Sequence, residues 1–220
     1  FSSKLATILF DRIITDSDEM NKVYFNLFSK KTIVIAYGST MRRCNKTVYL
    51  DEYKIETKKY YLIVGRLIPD NNSELIIKGF LESKSKKKLV IVGDVPYKDK
   101  YSQIVKSINS NRIVFTGYIK CQDKLSAIYK NCYGYIHGHE YGGTNPTMIN
   151  ALDLNCEIIA LKTKFNKEML KNKYAFFFKK NLKSIAETIN LFEKKYQYLI
   201  KKNKNYKIPK KYEWDFIVDQ

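Results

Sequence analysis

The chemistry-bearing residues crowd most densely in one stretch, "IHGHEYGGTNPTM", residues 136–148. It holds both histidines of the chain, His137 and His139, with Glu140 beside them, then Gly142, Gly143, Thr144, Asn145 and Pro146. A short apolar run, "YGYIHG" (133–138), precedes it and an amphipathic stretch, 146–154, follows. A strand-to-helix turn of this composition suits an anion. The first helical turn carries N–H groups without carbonyl partners, and the helix dipole adds positive potential there. Gly142 and Gly143 allow positive φ and a close approach to the backbone. Pro146 fits the first turn because its missing N–H is not needed there. A phosphate-bearing ligand held by the amides of Gly143, Thr144 and Asn145 is one reading; an ordinary glycine-rich turn is the other. No metal is expected, since His137, His139 and Glu140 on one turn make a poor ligand set.

The elements that must position this turn read as alternating strands and helices. β-rich apolar runs fall at 11–15, 32–37, 60–65, 88–93, 112–117, 133–138, 157–162 and 174–178. Several are continuously apolar, as parallel strands covered on both faces require. Amphipathic stretches lie between them at 17–28, 72–83, 100–109, 122–131, 146–154 and 182–202. Ser17 is a fitting N-cap for the first of these, and Leu75, Ile76, Gly79 and Phe80 share one face of the second. The alternation predicts α/β architecture: a doubly wound, parallel, Rossmann-like sheet. Residues 59–200 hold six of the strand runs and are expected to form a complete nucleotide-binding domain. Residues 1–37 read as the tail of an earlier, acceptor-side domain whose body lies outside this sequence. Residues 38–58 have the length and polarity of a linker, and 201–220 form a Lys-rich segment with a return helix.

In an open parallel sheet, ligands bind beyond the carboxyl ends of the strands. That rule selects Arg66, Asp70, Asn71 and Asn72 after the third run, Asp94 to Tyr97 after the fourth and Tyr118 to Lys120 after the fifth. It selects 139–146 after the sixth and 163–168 after the seventh. No "GxxxxGK[ST]" loop or nucleophile elbow is present.

Composition narrows the classes of partner. The net charge is +18, yet only 5 of the 40 basic residues are Arg. Nucleic-acid readers rely on Arg for bidentate contacts, so nucleic acid is not the expected partner. The Lys clusters at 84–88, 162–173 and 194–211 are expected to be solvated faces, with docking to an anionic membrane second. Four cysteines without C-x-x-C spacing suggest reduced thiols and a cytoplasmic setting, peripheral to a membrane at most.

The order of these edges resembles the C-terminal half of a family-4 GT-B glycosyltransferase, nearest to the bacterial rhamnosyltransferase-like enzymes of surface polysaccharide synthesis. The likeness is carried in sequence order by "IITDSDEMNKVYF", "VGRLIPDNNSELIIKGF", "KLVIVGD", "RIVFTGYI", "HGHEYGGTNPTMINAL" and the closing "YEWDFIVDQ". The resemblance implies a nucleotide-sugar donor, such as dTDP-rhamnose, and a glycan or lipid-linked acceptor, with no metal or further cofactor. It places the donor diphosphate on Arg66, the base along Gly117, Tyr118 and Ile119, and the phosphates or sugar on Gly142, Gly143, Thr144 and Asn145. Arg66 and His139 are the catalytic candidates. Two positions depart from the family pattern. Asn71 stands where many members have Lys. Asn150 stands where a Glu is usual, and an amide accepts ribose hydroxyls less strongly than a carboxylate. A non-catalytic nucleotide-sugar-binding fragment is therefore the alternative reading.

Overall fold

The computed structural model describes residues 2–39, 41–95 and 99–219, so Pro96 and Tyr97, expected at a strand edge, lie outside the described residues. Ahead of the main sheet the chain forms helix α1 (Ser2–Leu9), strand β1 (Ile14–Thr15), helix α2 (Asp18–Phe28), strand β2 (Ile33–Val34) and one helical turn, α3 (Val48–Asp51). β1 and β2 pair in parallel as a separate two-stranded sheet. Ser17 caps α2 by accepting the Met20 N–H at 3.2 Å.

The main sheet follows as β3 (Tyr60–Val64), helix α4 (Ser73–Glu82), β4 (Lys88–Val92), helix α5 (Lys100–Ser107), β5 (Ile113–Gly117), helix α6 (Gln122–Asn131), β6 (Gly134–His137), helix α7 (Pro146–Asp153), β7 (Ile158–Leu161), helix α8 (Lys164–Met169) and β8 (Phe176–Phe178). The long helix α9 (Leu182–Asn203) and the short α10 (Trp214–Val218) close the chain. The six strands lie in the order β5-β4-β3-β6-β7-β8, all in parallel. The chain thus builds outward from β3 to β5, crosses back through α6, and builds outward again from β6 to β8. This is the doubly wound arrangement of a Rossmann-like lobe.

Strand alternation divides the core between the two faces. Tyr61, Ile63, Leu89 and Ile91 point to the face covered by α4 and α9, where they meet Ile76, Phe80, Ile185, Ile189 and Phe192. Tyr60, Leu62, Val90 and Val92 point to the other, covered by α6 and α7 through Ile128, Tyr129, Met148 and Leu152. The stretch 38–58, expected as a linker, belongs to this second face. Met41, Leu50 and Ile55 are buried in its core, and the Cys44 N–H donates to Ser126 Oγ at 3.1 Å. Each such side chain contributes about 1.5–3 kcal/mol on full burial, which fastens the segment to the sheet. One residue of the Lys-rich clusters also departs from expectation. Lys173 is buried, its Nζ donating to Asn155 Oδ1 at 2.7 Å, and burial holds its pKa below the usual lysine value. Among the described residues no helix is long and apolar enough to cross a membrane.

α4 and α9 cross where Gly79 faces Ile185. A Cβ on Gly79 would lie 2.7 Å from Ile185 Cβ and 3.1 Å from the Leu182 carbonyl oxygen. Gly79→Ala is therefore expected to destabilise the fold by about 1–3 kcal/mol through overpacking, despite alanine's better helix propensity. Urea denaturation checks this; an unchanged or raised midpoint would contradict the close helix contact.

Candidate functional site

β3, β4, β5 and β6 each run out at a glycine: Gly65, Gly93, Gly117 and Gly138. Two of these are dictated by space. Gly93 has φ 127°, and a Cβ there would lie 2.1 Å from the Gly65 carbonyl oxygen. A Cβ on Gly138 would lie 2.3 Å from the Asn71 carbonyl oxygen and 2.5 Å from Ile76 Cδ1. The loops after β3 and β6 thus pack directly on each other at the point where the strand order reverses.

A network of amides and carbonyls holds these loops. Asn72, in the left-handed conformation at φ 53°, donates from Nδ2 to the Gly138 carbonyl at 2.9 Å. The Glu140 N–H donates to the Asp70 carbonyl at 3.0 Å. Asn71 Nδ2 donates to the Arg66 carbonyl at 2.7 Å, so its Oδ1 is the acceptor 2.8 Å from His139 Nδ1. His139 therefore carries its proton on Nδ1 and leaves Nε2 unprotonated. Burial lowers its pKa, offset in part by Asp70, so the ring is neutral near pH 7. Asn166 Nδ2 supports the same loop from α8, donating to the His139 carbonyl at 3.1 Å.

Above these loops lies a cavity of about 370 Å³. Val64, Val92, Ile119, Leu125 and Ile136 give it apolar walls, and Arg66, Asn71, Asp94, His137, His139, Asn145 and Thr147 supply the polar groups. An apolar hollow with a few converging polar groups at the strand-order reversal is where this fold class holds a small ligand. Of the residues selected from sequence, Arg66, Asn71, Asp94, Tyr118, Ile119, His139, Asn145 and Pro146 line the cavity. Gly117, with φ 70°, sits just before its Tyr118 edge.

Gly142, Gly143, Thr144 and Asn150 do not line it, and two of the expected contacts are already taken. The Thr144 N–H, expected to be free for a phosphate, donates to Asp16 Oδ2 at 3.0 Å, and the Thr144 hydroxyl meets the Asp16 carbonyl. A Cβ on Gly143 would collide with the same Asp16 carboxylate. The Thr147 N–H is capped by Asn145 Oδ1 at 3.0 Å, and the Asn145 N–H faces Met169 Sδ at 3.5 Å. A side chain 128 residues upstream in the chain thus takes an amide that the turn alone would offer to an anion. Asn150 lies a turn further along α7, with Oδ1 3.5 Å from the Ser39 hydroxyl. Gly142 has φ 107°, and Glu140 pairs with Lys180 at the surface.

His137 was not singled out as a site residue, although it is 3% exposed and lines the cavity. The signal available in the sequence was its strand register. It shares a face with Tyr135, two residues back, and the Tyr135 hydroxyl lies 3.0 Å from His137 Nδ1. Burial pushes the His137 pKa down to about 3, so this ring too is neutral near pH 7. Among the described residues no cluster of His, Cys, Asp and Glu has the makings of a metal site.

The six-stranded parallel sheet and its order define a Rossmann-like lobe, and the fold is that of a GT-B glycosyltransferase lobe. The profile of the family "Glycosyl transferases group 1" matches residues 46–210, and the chain belongs to that family. No curated relative matches by sequence. HepE from Anabaena, solved in complex with UDP-glucose, superposes with a TM-score of 0.82 at 14% identity over 100% of this chain and 64% of that one. A glycosyltransferase from Rickettsia africae gives 0.75 at 12% identity, covering 94% and 61%. The pneumococcal O-GlcNAc transferase GtfA, solved with UDP and GlcNAc, gives 0.72 at 13%, covering 99% and 45%. The chain spans less than two thirds of the length of each of these proteins.

Asp16 provides a test of the contact that takes the Thr144 amide. Burial raises its pKa, and the hydrogen bond from Thr144 offsets this only in part. A carboxyl whose folded pKa exceeds its unfolded value contributes stability at acid pH that is lost as pH rises through the folded pKa. Asp16→Asn keeps an acceptor for Thr144 without the buried charge. It is expected to be more stable than wild type at pH 7, with the advantage shrinking as pH falls toward about 4. Urea denaturation across that range decides it; a pH-independent difference would contradict the buried charge.

Proposed function

We infer that this chain is the donor-binding lobe of a glycosyltransferase that holds a nucleotide sugar in the cavity between the β3 and β6 loops. The observation that carries the reading is the cavity itself, with Arg66 at its rim, apolar walls beside Ile119 and two neutral histidines, in a chain of this family. The base fits against Tyr118 and Ile119. Arg66 supplies a charge-assisted contact to the diphosphate, and it strengthens as the leaving group gains charge. Catalysis of this kind rests on holding donor and acceptor in line and stabilising the departing diphosphate. Asn71 orients His139 beside the same rim, where an unprotonated Nε2 can accept a sugar hydroxyl. The relatives solved with UDP or UDP-glucose support a nucleotide donor. The nucleotide proposed from the sequence, dTDP joined to a deoxyhexose such as rhamnose, is tested beside UDP. The acceptor proposed is a glycan, carried on a lipid at an anionic surface that the Lys-rich faces would approach.

A thermal-shift and calorimetry series with UDP, dTDP and their sugar conjugates tests the reading. At least one is expected to bind, and Arg66→Ala is expected to weaken it about ten- to a hundred-fold. Absence of binding at millimolar concentration for every member would overturn it.

The alternative, a binding lobe without transfer, rests on Asn150, whose amide faces Ser39 rather than the cavity. Asn150→Glu distinguishes the two. A gain in nucleotide affinity in the variant, with no transfer by the native sequence in its full-length setting, favours the alternative.

A further inference from the structure

Among the described residues that line the cavity, His137 has a fully buried side-chain nitrogen without a hydrogen-bond partner, and its neighbours fix which nitrogen that is. The chain of bonds starts at Asn145. Its Oδ1 accepts the Thr147 N–H at 3.0 Å, which identifies that atom as the oxygen. Oδ1 carries no proton, so the Thr147 hydroxyl 2.7 Å away donates to it. The Thr147 hydroxyl has then spent its only proton and accepts from the Tyr135 hydroxyl at 2.9 Å. Tyr135 in turn has spent its own and accepts from His137 Nδ1–H at 3.0 Å. In a neutral imidazole a proton on Nδ1 leaves Nε2 as a bare lone pair.

That lone pair is buried and has no hydrogen-bond partner among the described residues. His137 lines the cavity, and its desolvated position opposes a second proton. Nε2 presents almost no surface to the cavity, so a ligand donor that bonds it must displace the cavity wall slightly, and in doing so it recovers the free energy that an unsatisfied buried acceptor costs. Ionised phosphates carry no such donor, so the group that faces Nε2 is not the diphosphate. β5 and β6 are separated by β4 and β3, roughly 14 Å at the usual strand spacing. A base against Tyr118 and Ile119, just beyond β5, therefore leaves the ligand's sugar rings nearest to His137.

We propose that His137 Nε2 accepts a hydrogen bond from a hydroxyl on a sugar ring of the bound nucleotide sugar, and so selects for a hydroxyl at that position. This rests on the nucleotide-sugar reading of the cavity. The relay Asn145–Thr147–Tyr135 acts as a positioning chain that holds the tautomer.

Three variants separate the two ring nitrogens. His137→Asn keeps an N–H near the Nδ1 position, facing Tyr135, and places nothing at Nε2. His137→Gln places a carbonyl oxygen near the Nε2 position. His137→Phe keeps the ring volume without either nitrogen. Affinities are measured by calorimetry for UDP, its 2′-deoxy and 3′-deoxy analogues, and UDP-glucose. His137→Asn and His137→Phe are expected to weaken binding about tenfold, with His137→Gln recovering part of the loss. If the hydroxyl is ribosyl, the loss appears with UDP and vanishes with one of the deoxy analogues. If it belongs to the transferred sugar, the loss appears only with UDP-glucose. Nitrogen-15 NMR of the unliganded protein reads the tautomer without any ligand: Nδ1 protonated and Nε2 bare are expected for His137. Equal affinities of wild type, His137→Asn and His137→Phe for all four ligands would overturn this inference alone, as would a proton found on Nε2. Failure of the wild type to bind any nucleotide would remove the nucleotide reading as well.

Discussion

β3 and β6 lie side by side in the sheet, yet the chain leaves them toward opposite edges, through α4 to β4 on one side and α7 to β7 on the other. The α6 crossover packs across one face of the pair, its Tyr129 ring against Tyr135 and its Ile128 carbonyl bonded by the Tyr60 hydroxyl, but at the carboxyl ends the loops beyond the two strands must close the seam themselves. They do so by backbone contact. Gly138 packs against the Asn71 carbonyl, and Asn72 in its left-handed conformation bonds the Gly138 carbonyl. Every polar group proposed for ligand binding is positioned by that closure. Arg66 precedes the Asn71 turn, His139 follows Gly138, and His137 is the last residue of β6 itself.

The segment ahead of the sheet is fastened by two carboxylates placed in opposite directions. Asp16, from the N-terminal segment, accepts the Thr144 N–H beside the α7 start. Glu168, from α8, accepts the Asp18 and Glu19 N–H groups at 3.0 and 2.9 Å, at the start of α2. At α2 the carboxylate meets N–H groups of the first helical turn, as the helix dipole favours, whereas Asp16 bonds an N–H one residue before the α7 cap, where burial opposes its charge. α10 completes the attachment, with the Trp214 ring against Gly38 so closely that a Cβ there would fall 2.8 Å from it. The chemical consequence is that the Thr144 amide is already neutralised by an internal anion. On the proposed reading, charge for a diphosphate is left to Arg66.

The six main strands were legible because most of their apolar runs are continuous, as burial on both faces requires, and the first four end on glycines. Helix α4 was equally plain, since Ile76, Gly79 and Phe80 repeat at helical spacing. α8 escaped because "KFNKEM" is short and its charges obscure any apolar stripe; what fixes it is tertiary, Asn166 bonding the Leu161 and His139 carbonyls. The 38–58 stretch read as a linker because Met41, Leu50 and Ile55 are too widely spaced among polar residues to show a period. At the site, residues at strand ends could be selected by the edge rule, and eight of those selected line the cavity. The occupation of Thr144 by Asp16 could not be read, because it joins residues 128 positions apart. His137 was visible as a histidine but not as a tautomer, since that depends on where Tyr135, Thr147 and Asn145 meet in space.

The claim on which this description rests is that the seam between β3 and β6 is the ligand site. Amide chemical-shift mapping during a titration with UDP tests it most directly. The largest changes are expected at Gly65, Arg66, Gly93, Ile119, Gly138 and His139, around the seam. Changes confined to the Lys-rich cleft of Lys164, Lys167 and Lys211, which lies between α2 and α8, would contradict it.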